Sequence, residues 1–373
     1  MYPKNIFSQE EEIRYARHGI LPGFGMEAQH RLKTSTALVV GAGGLGAPIL
    51  QYLTAAGLGR IGIIDPDRVG LSNLQRQVLF NSSDIGRPKV EVAAERLSSL
   101  NPNVQFDLYP FALSHENALD ILAGYDVVAD GSDNFPTRYL VNDACVLLGK
   151  PLVYGAVFRS EGQLAVFNLL GTDGRRGLNY RNLYPLPPEA GTVPSCAEGG
   201  VLGVLPGIIG SMQANEVIKV LTGVGEPLSD KLLLFDAHNG QSRLIRLPVQ
   251  PPFPVERLED YVAACGNPAG MLPEITPLEL QKWKESRIPF FLLDVREPWE
   301  YTEYNLGGHL LPLAQLPAQT SQLPSGLPIV VVCQSGARSA QATTLLRTHL
   351  GFQEVFNLKG GVQACIQQNL ILT

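Results

Sequence analysis

A chain of 373 residues with a net charge of −6 and 45% apolar residues is too long for one ordinary core, and it is neither disordered nor fibrous. The acidic balance argues against a nucleic-acid partner, and no apolar run reaches the roughly 18 residues that a membrane span needs. Cys145, Cys196, Cys265, Cys333 and Cys365 are odd in number and scattered, which excludes a secreted disulfide framework and leaves each as packing or as a reactive thiol. The first residues carry charges where a signal peptide needs an apolar stretch, so the expected compartment is the cytoplasm.

In chain order, SQEEEIRYARHGILPGFG predicts a capped helix with a glycine-rich turn behind it. An apolar run then ends at Gly41, and a helix begins near Gly46 with Pro48 in its first turn. A second apolar run, Ile61 to Ile64, ends at Asp65. Strand, tight glycine turn, helix and strand make the signature of a doubly wound α/β fold. A helical pattern from Lys89 to Leu100 and a buried strand in DVVADGSDN continue it. Residues 171–194 are rich in glycine and proline and lack periodicity, which predicts a long loop. The segment GGVLGVLPGIIGSMQANEVIKVLTG predicts an apolar stretch followed by a buried helix, and a proline-rich stretch after it predicts a linker. Beyond that, the strand-like FFLLDVRE and PIVVVC and the helical ARSAQATTLLRTHL predict a second, smaller α/β unit. The expected division is residues 1–247, a linker over 248–273, and residues 274–373.

Chemistry is concentrated at the strand ends. GAGGLG fits G-x-G-x-x-G, and Gly41, Gly43, Gly44 and Gly46 would let the backbone approach a phosphate at a helix N-terminus. Asp65 lies at a distance suited to a ribose, and a dinucleotide or a mononucleotide fits equally. Asn73, Arg76 and Gln77 follow on the next loop, then Lys89, then Asp133 in DGSDN. Cations and carboxylates at the C-terminal ends of parallel strands suit phosphoryl chemistry better than hydride transfer. Arg76 would grip phosphate oxygens, Lys89 would act as a point charge on a departing pyrophosphate, and Asp133 would hold magnesium. The alternatives are an NAD-dependent oxidoreductase, for which no hydride-site acid or base is found, and a non-catalytic scaffold.

The run RYARH…VVGAGGLGAP…IIDPDRVGLSNLQRQ…GRPKVE…DGSDNFPTRYLVN resembles the MoeB/ThiF group, bacterial relatives of ubiquitin-activating enzymes, over roughly residues 8 to 247. The resemblance implies a Rossmann-like ATP-binding domain working with ATP and Mg2+. In that group the C-terminal glycine carboxylate of a ubiquitin-like sulfur carrier, ending in Gly-Gly, attacks the α-phosphate to give an acyl-adenylate and pyrophosphate. It further implies that Asp65 holds the ribose, that Asn73, Arg76 and Lys89 belong to the ATP site, and that Asp133 binds magnesium or orients the attack. Arg17 would match an arginine that reaches into the neighbouring subunit's ATP site, which requires a homodimer. Cys196, in TVPSCAEGG, matches a cysteine that can bond covalently to the carrier.

Cys333 sits where a strand runs into a tight loop and then a helix, in CQSGARSAQA. Loop N–H groups and a helix N-terminus favour an anionic sulfur. With DVREPWEY, GGHLLPL and NLKGGVQA, this resembles a single-domain rhodanese over residues 274 to 373. The resemblance implies a persulfide on Cys333 cradled by Gln334, Ser335, Gly336, Ala337, Arg338 and Ser339, with HLLPLAQLP departing from the usual turn. Many members of the first group hold a structural zinc with two C-x-x-C pairs. Here Asn179 and Asn182 stand for the first pair, and Val262 with Cys265 for the second, so no structural zinc is expected. The expected function is ATP-dependent adenylation of a sulfur carrier followed by sulfur transfer to a thiocarboxylate, in molybdopterin, thiamine or tRNA thiolation. A sulfur donor such as a cysteine desulfurase would supply it, with no nucleic-acid or membrane partner.

Overall fold

The computed structural model describes residues 6–188, 200–248, 250–259, 261, 273–324 and 326–368. They form two compact units, the first ending at Tyr261 and the second beginning at Pro273.

The first unit starts with helices α1 (Gln9–Arg14), α2 (Ala16–Gly19) and α3 (Gly25–Thr34). Ser8 accepts from the Glu11 N–H while the Glu11 carboxylate accepts from the Ser8 N–H, a reciprocal cap. Lys33 of α3 reaches back to Glu11 at 2.6 Å. Next come β1 (Thr36–Val40), α4 (Gly46–Ala56), β2 (Arg60–Ile64), α5 (Lys89–Leu100), β3 (Gln105–Tyr109), α6 (Ala118–Ala123), β4 (Val127–Asp130) and α7 (Phe135–Leu148). The unit closes with β5 (Leu152–Phe158), β6 (Glu161–Phe167), α8 (Tyr180–Leu183), α9 (Val204–Thr222), β7 (Lys231–Asp236) and β8 (Gln241–Arg246). The strands lie in the order β3-β2-β1-β4-β5-β6-β7-β8; β3 to β5 are parallel, and β5 to β8 form an antiparallel meander.

Both faces of the parallel part are covered, which is why β1 reads as an unbroken apolar run. Ala37 and Val39 point into one core with α4 residues Ile49, Leu50 and Leu53. Leu38 and Val40 point into the opposite core with Tyr139, Val141 and Cys145 of α7.

The second unit contains β9 (Glu274–Ile275), α10 (Pro277–Glu285), β10 (Phe291–Asp294), α11 (Pro298–Glu303), β11 (His309–Leu310), β12 (Ile329–Val332), α12 (Ala337–Thr344), β13 (Val355–Leu358) and α13 (Gly361–Gln367). Its parallel sheet runs β11-β10-β12-β13-β9. Again alternate residues of the central strand, Ile329 and Val331 against Val330 and Val332, enter cores on opposite faces.

Three expectations need amendment. The glycine-rich N-terminal turn is followed by a full helix, α3, whose burial of Ala28, Gln29 and Leu32 is set by packing rather than by a sustained apolar stripe. The stretch expected as one long loop contains α8, with Asn179, Tyr180 and Arg181 buried. The first part of the expected linker packs on the first unit. Asn179 Nδ2 donates to the Phe253 carbonyl at 2.9 Å, Asn182 Nδ2 donates to that of Pro251 at 3.0 Å, and Asn182 Oδ1 accepts from the Phe253 N–H at 3.0 Å. Tyr261 is buried beside them and its hydroxyl meets the Asp143 carboxylate, which also binds Arg181 at 2.8 Å. The two asparagines expected in place of zinc ligands therefore make polar ties from α8 to this strand of chain. Val262 and Cys265 lie outside the described residues.

Candidate active sites

In the first unit, β1 is flanked on one side by β2 and on the other by β4, so the loops leaving their C-terminal ends diverge and open a crevice. A cavity of about 280 Å³ occupies it, lined by Gly41, Gly43, Gly44, Asp65, Arg76, Gln77, Lys89, Ser132, Asp133 and Arg138 among others. The turn between β1 and α4 is built of glycine for steric reasons. A Cβ on Gly46 would stand 1.8 Å from the Gly41 carbonyl oxygen.

Asp65 ends β2 and anchors this turn, accepting from the Ala42 N–H at 2.8 Å with one oxygen and from the Asp67 N–H at 2.8 Å with the other. Burial pushes its carboxyl up, and Lys89 opposes that from 3.9 Å. Lys89, the first residue of α5, is buried and its Nζ lies 2.8 Å from Asp67. Arg76 donates to the Ser72 carbonyl at 3.1 Å and lines the cavity. Asp133 is exposed at the cavity wall.

Three predicted residues stand apart from the cavity lining, the first being Gly46, whose place in the turn is steric. The Asn73 side chain accepts from the Gly70 N–H at 3.1 Å, capping its own turn, and Asn73 is not part of the cavity lining. Arg17 is exposed on α2, outside the lining of its own chain's cavity.

The structure adds a residue that sequence reasoning passed over. Arg138 lies one turn into α7, where Asn134 caps the helix by accepting from the Thr137 N–H at 3.0 Å. Its guanidinium is 5.3 Å from the Tyr154 ring and 5.6 Å from that of Phe135, a stacking suited to a desolvated arginine. Its Nε is 3.8 Å from Asp130, a fully buried carboxylate whose burial raises its pKa. The only local signal was an arginine eight positions after a strand-end aspartate. Buried Gln77 Oε1 faces this region without a hydrogen-bond partner among the described residues, while the Ser132 hydroxyl and N–H turn toward Asp130. Such an unpaired group is costly unless a ligand satisfies it, and together with the glycine turn and two cations it fits a polyphosphate nucleotide. Among the described residues no group of three or more His, Cys, Asp or Glu could hold a metal by itself; one carboxylate beside phosphates fits magnesium, which favours shared ligation.

In the second unit, β12 delivers Cys333 to a loop that turns at Gly336, where φ is +94°, into α12. The Cys333 Sγ accepts from the Gly336 N–H at 3.2 Å and lies 3.3 Å from Ser339 Oγ. The start of α13 buttresses the loop, with the Val362 and Gln363 N–H groups donating to the Cys333 and Gln334 carbonyls. Ser335 is exposed at the tip, and Ala337 begins α12.

Arg338 makes two bonds to Glu300 of α11, at 2.6 and 2.7 Å. Burial alone would lift the Glu300 carboxyl, but Arg338 and the Glu297 N–H hold it below the usual range. Arg296, wholly buried, is paired with Asp294 at 2.7 Å and reaches Gln334 at 3.2 Å. Cys145 and Cys365 are buried in the two units' cores, and burial pushes the Cys365 thiol up to about 11. Cys196 lies outside the described residues.

Residues 15–254 match the ThiF family, and residues 276–368 match the rhodanese-like domain. The chain is 43% identical to the "Probable adenylyltransferase/sulfurtransferase MoeZ" of Mycobacterium tuberculosis, over 98% of this chain and 95% of that protein. It is 54% identical to the "Sulfur carrier protein adenylyltransferase" of Thermus thermophilus over 70% of this chain and 98% of that one. With the mouse "Adenylyltransferase and sulfurtransferase MOCS3" it shares 41% identity over 95% of this chain and 84% of the relative. Among solved structures, E. coli MccB with ATP has the same fold at a TM-score of 0.55 and 21% identity, over 67% of this chain and 74% of that one. No helix among the described residues is long and apolar enough to cross a membrane.

Proposed function

Because this chain belongs to the ThiF family and carries a rhodanese-like domain behind it, we propose that its two units act in sequence on one small protein, first activating its C-terminal carboxylate and then sulfurating it. The chain is an enzyme, an adenylyltransferase and a sulfurtransferase, that uses ATP and acts on a ubiquitin-like sulfur carrier. The observation that carries the reading for these residues is the gathering of Arg76, Lys89, Asp133 and the glycine turn around one cavity.

In the first half, a carrier glycine carboxylate attacks the α-phosphorus of ATP and pyrophosphate departs. Arg76 and Lys89 would bind the phosphate oxygens, and Asp133 would hold a magnesium ion, which when bound would supply neutralisation of phosphate charge. Such preorganised cations act where charge develops, without reorganising at the moment of reaction. Arg138 would keep the Asp130–Asp133 turn in register. In the second half, the outer sulfur of a Cys333 persulfide attacks the acyl carbon and AMP departs. A second thiol then attacks Cys333 Sγ and expels the thiocarboxylate, leaving a disulfide on Cys333 that an external thiol reduces. Cys196 is assigned a covalent role toward the carrier, and a cysteine desulfurase is the proposed sulfur donor.

We assign the working form as a homodimer, with Arg17 completing the other subunit's ATP site. Two observations support this: Arg17 is exposed on α2, and Ile13, Ile20, Leu71 and Val78 of the same unit are between 67% and 74% exposed. A dimer interface would cover large apolar side chains of that kind.

The test is ATP–pyrophosphate exchange in the presence of a carrier ending in Gly-Gly, with mass spectrometry of the carrier after addition of a sulfur source. Exchange and the replacement of one carrier oxygen by sulfur are expected. Cys333→Ala should retain exchange and lose sulfur transfer; loss of both together would sink the two-site reading.

A further inference from the structure

The pocket of Cys333 holds a hydroxyl with one proton and competing acceptors. Ser339, wholly buried on α12, has its Oγ 3.3 Å from Cys333 Sγ, 2.7 Å from Asn357 Oδ1 and 3.1 Å from the Gly336 carbonyl oxygen. Asn357 is on the neighbouring strand β13 and 3% exposed. Its Nδ2 donates to Glu274 Oε1 at 3.2 Å, which settles the amide orientation: the NH2 faces the carboxylate and the oxygen faces Ser339. A serine hydroxyl donates once and accepts through two lone pairs.

We propose that Ser339 is a two-position hydroxyl switch for Cys333, and that Asn357 is the positioning residue holding it in its resting state. When Cys333 is a thiol, Ser339 donates to Asn357 Oδ1 and its lone pair receives the S–H. When the sulfur is anionic, as thiolate or persulfide, the hydroxyl rotates and donates to it. The bond is then charge-assisted and stronger than the one it gives up. No bond other than hydrogen bonds is made or broken by this rotation. The switch rests on the reading of Cys333 as the sulfur-accepting residue.

Other charged groups surround the loop, and they are paired among themselves. Arg338 is bound to Glu300, with Glu297 beside it. Arg296 is bound to Asp294 and Gln334. Behind Asn357, Glu274 lies 3.4 Å from Lys359. Among the described residues, the Ser339 hydroxyl and the Gly336 N–H are the hydrogen-bond donors to Sγ, and Arg338, though paired with Glu300, also attracts the sulfur electrostatically.

The experiment measures the pH dependence of iodoacetamide alkylation of Cys333 in the full chain, read by mass spectrometry of the peptide that contains it. Ser339→Ala removes the donor to anionic sulfur and should move the midpoint to higher pH by about one pH unit. Asn357→Leu removes the competing acceptor and should move it the opposite way, to lower pH. Ser339→Thr, which restores the hydroxyl, should return the midpoint toward the native one. Shifts of both first variants in one direction, or of neither, would overturn the switch, because a loosened loop affects both alike. Peptide-level hydrogen exchange across β12 and α12 in the full chain checks that the second unit of each variant is folded. If the native protein never takes up sulfur on Cys333 from a small-molecule persulfide while the opposed midpoint shifts are seen, the sulfur-acceptor reading fails and the switch stands.

Discussion

Lys89 shows how one buried cation can serve two carboxylates and still face a cavity. It is 2.8 Å from Asp67 and 3.9 Å from Asp65, and it opposes the burial that raises the Asp65 carboxyl. Lys89→Met should reduce carrier-dependent pyrophosphate exchange by about 10²–10³, the cost seen when one preorganised charge donor is lost; a change of less than tenfold would place the lysine outside the chemistry. Glu300 is the corresponding test in the second unit. Its folded carboxyl lies below the ordinary value of 4.5, so the stability it contributes is present above that value and disappears as pH falls through the folded one. Glu300→Gln should therefore lower the melting temperature at pH 7 and flatten the loss of stability between about pH 5 and pH 3. An unchanged acid slope in thermal melts would show that the pair is replaceable by solvent. Lys89 and Cys333 were legible in the sequence because each sits beside a strand-turn-helix signal. Glu300 and Asn357 stand inside the DVREPWEY and NLKGGVQA runs, but their relation to the cysteine was not legible, since they come from elements 33 and 24 positions away from it.

At the scale of elements, the nucleotide turn is the most sequence-determined piece of the fold. Gly46 opens α4 so closely against the preceding turn that its missing side chain is a requirement. Gly46→Ala should destabilise the first unit by about 1–3 kcal/mol, the range for overpacking, and abolish ATP binding by isothermal calorimetry. Retained binding would mean the turn can shift without cost. The strand-end cysteine loop is equally local: four apolar residues of β12, a reversal at Gly336 and then α12. The elements that were mistaken or passed over share a different property. α8 is four residues long and is held by Asn179 and Asn182 contacts to residues 251–253, some 70 positions away. Short elements stabilised by distant partners leave no periodicity to read.

For the whole molecule, the decisive prediction concerns shared sites. Arg17→Ala and Asp133→Asn should each abolish adenylation alone. Mixed and allowed to exchange subunits, they should recover about a quarter of native activity, since half the dimers are mixed and each has one intact site. No recovery under confirmed exchange would place both residues in one chain's site. Composition, glycine spacing and strand-end chemistry were enough to predict two α/β units and phosphoryl chemistry, while the ATP reaction and the sulfur-accepting role proposed for Cys333 came from the resemblance of the motifs, which are each written within a few neighbouring residues. The tertiary structure alone decided that Arg138 and Asp130 share a buried pair, that Asn73 turns away from the cavity, and that Ser339 stands between a sulfur and an amide. Those are relations between side chains whose direction is set by packing across strands and helices, and packing joins residues that the linear order keeps apart.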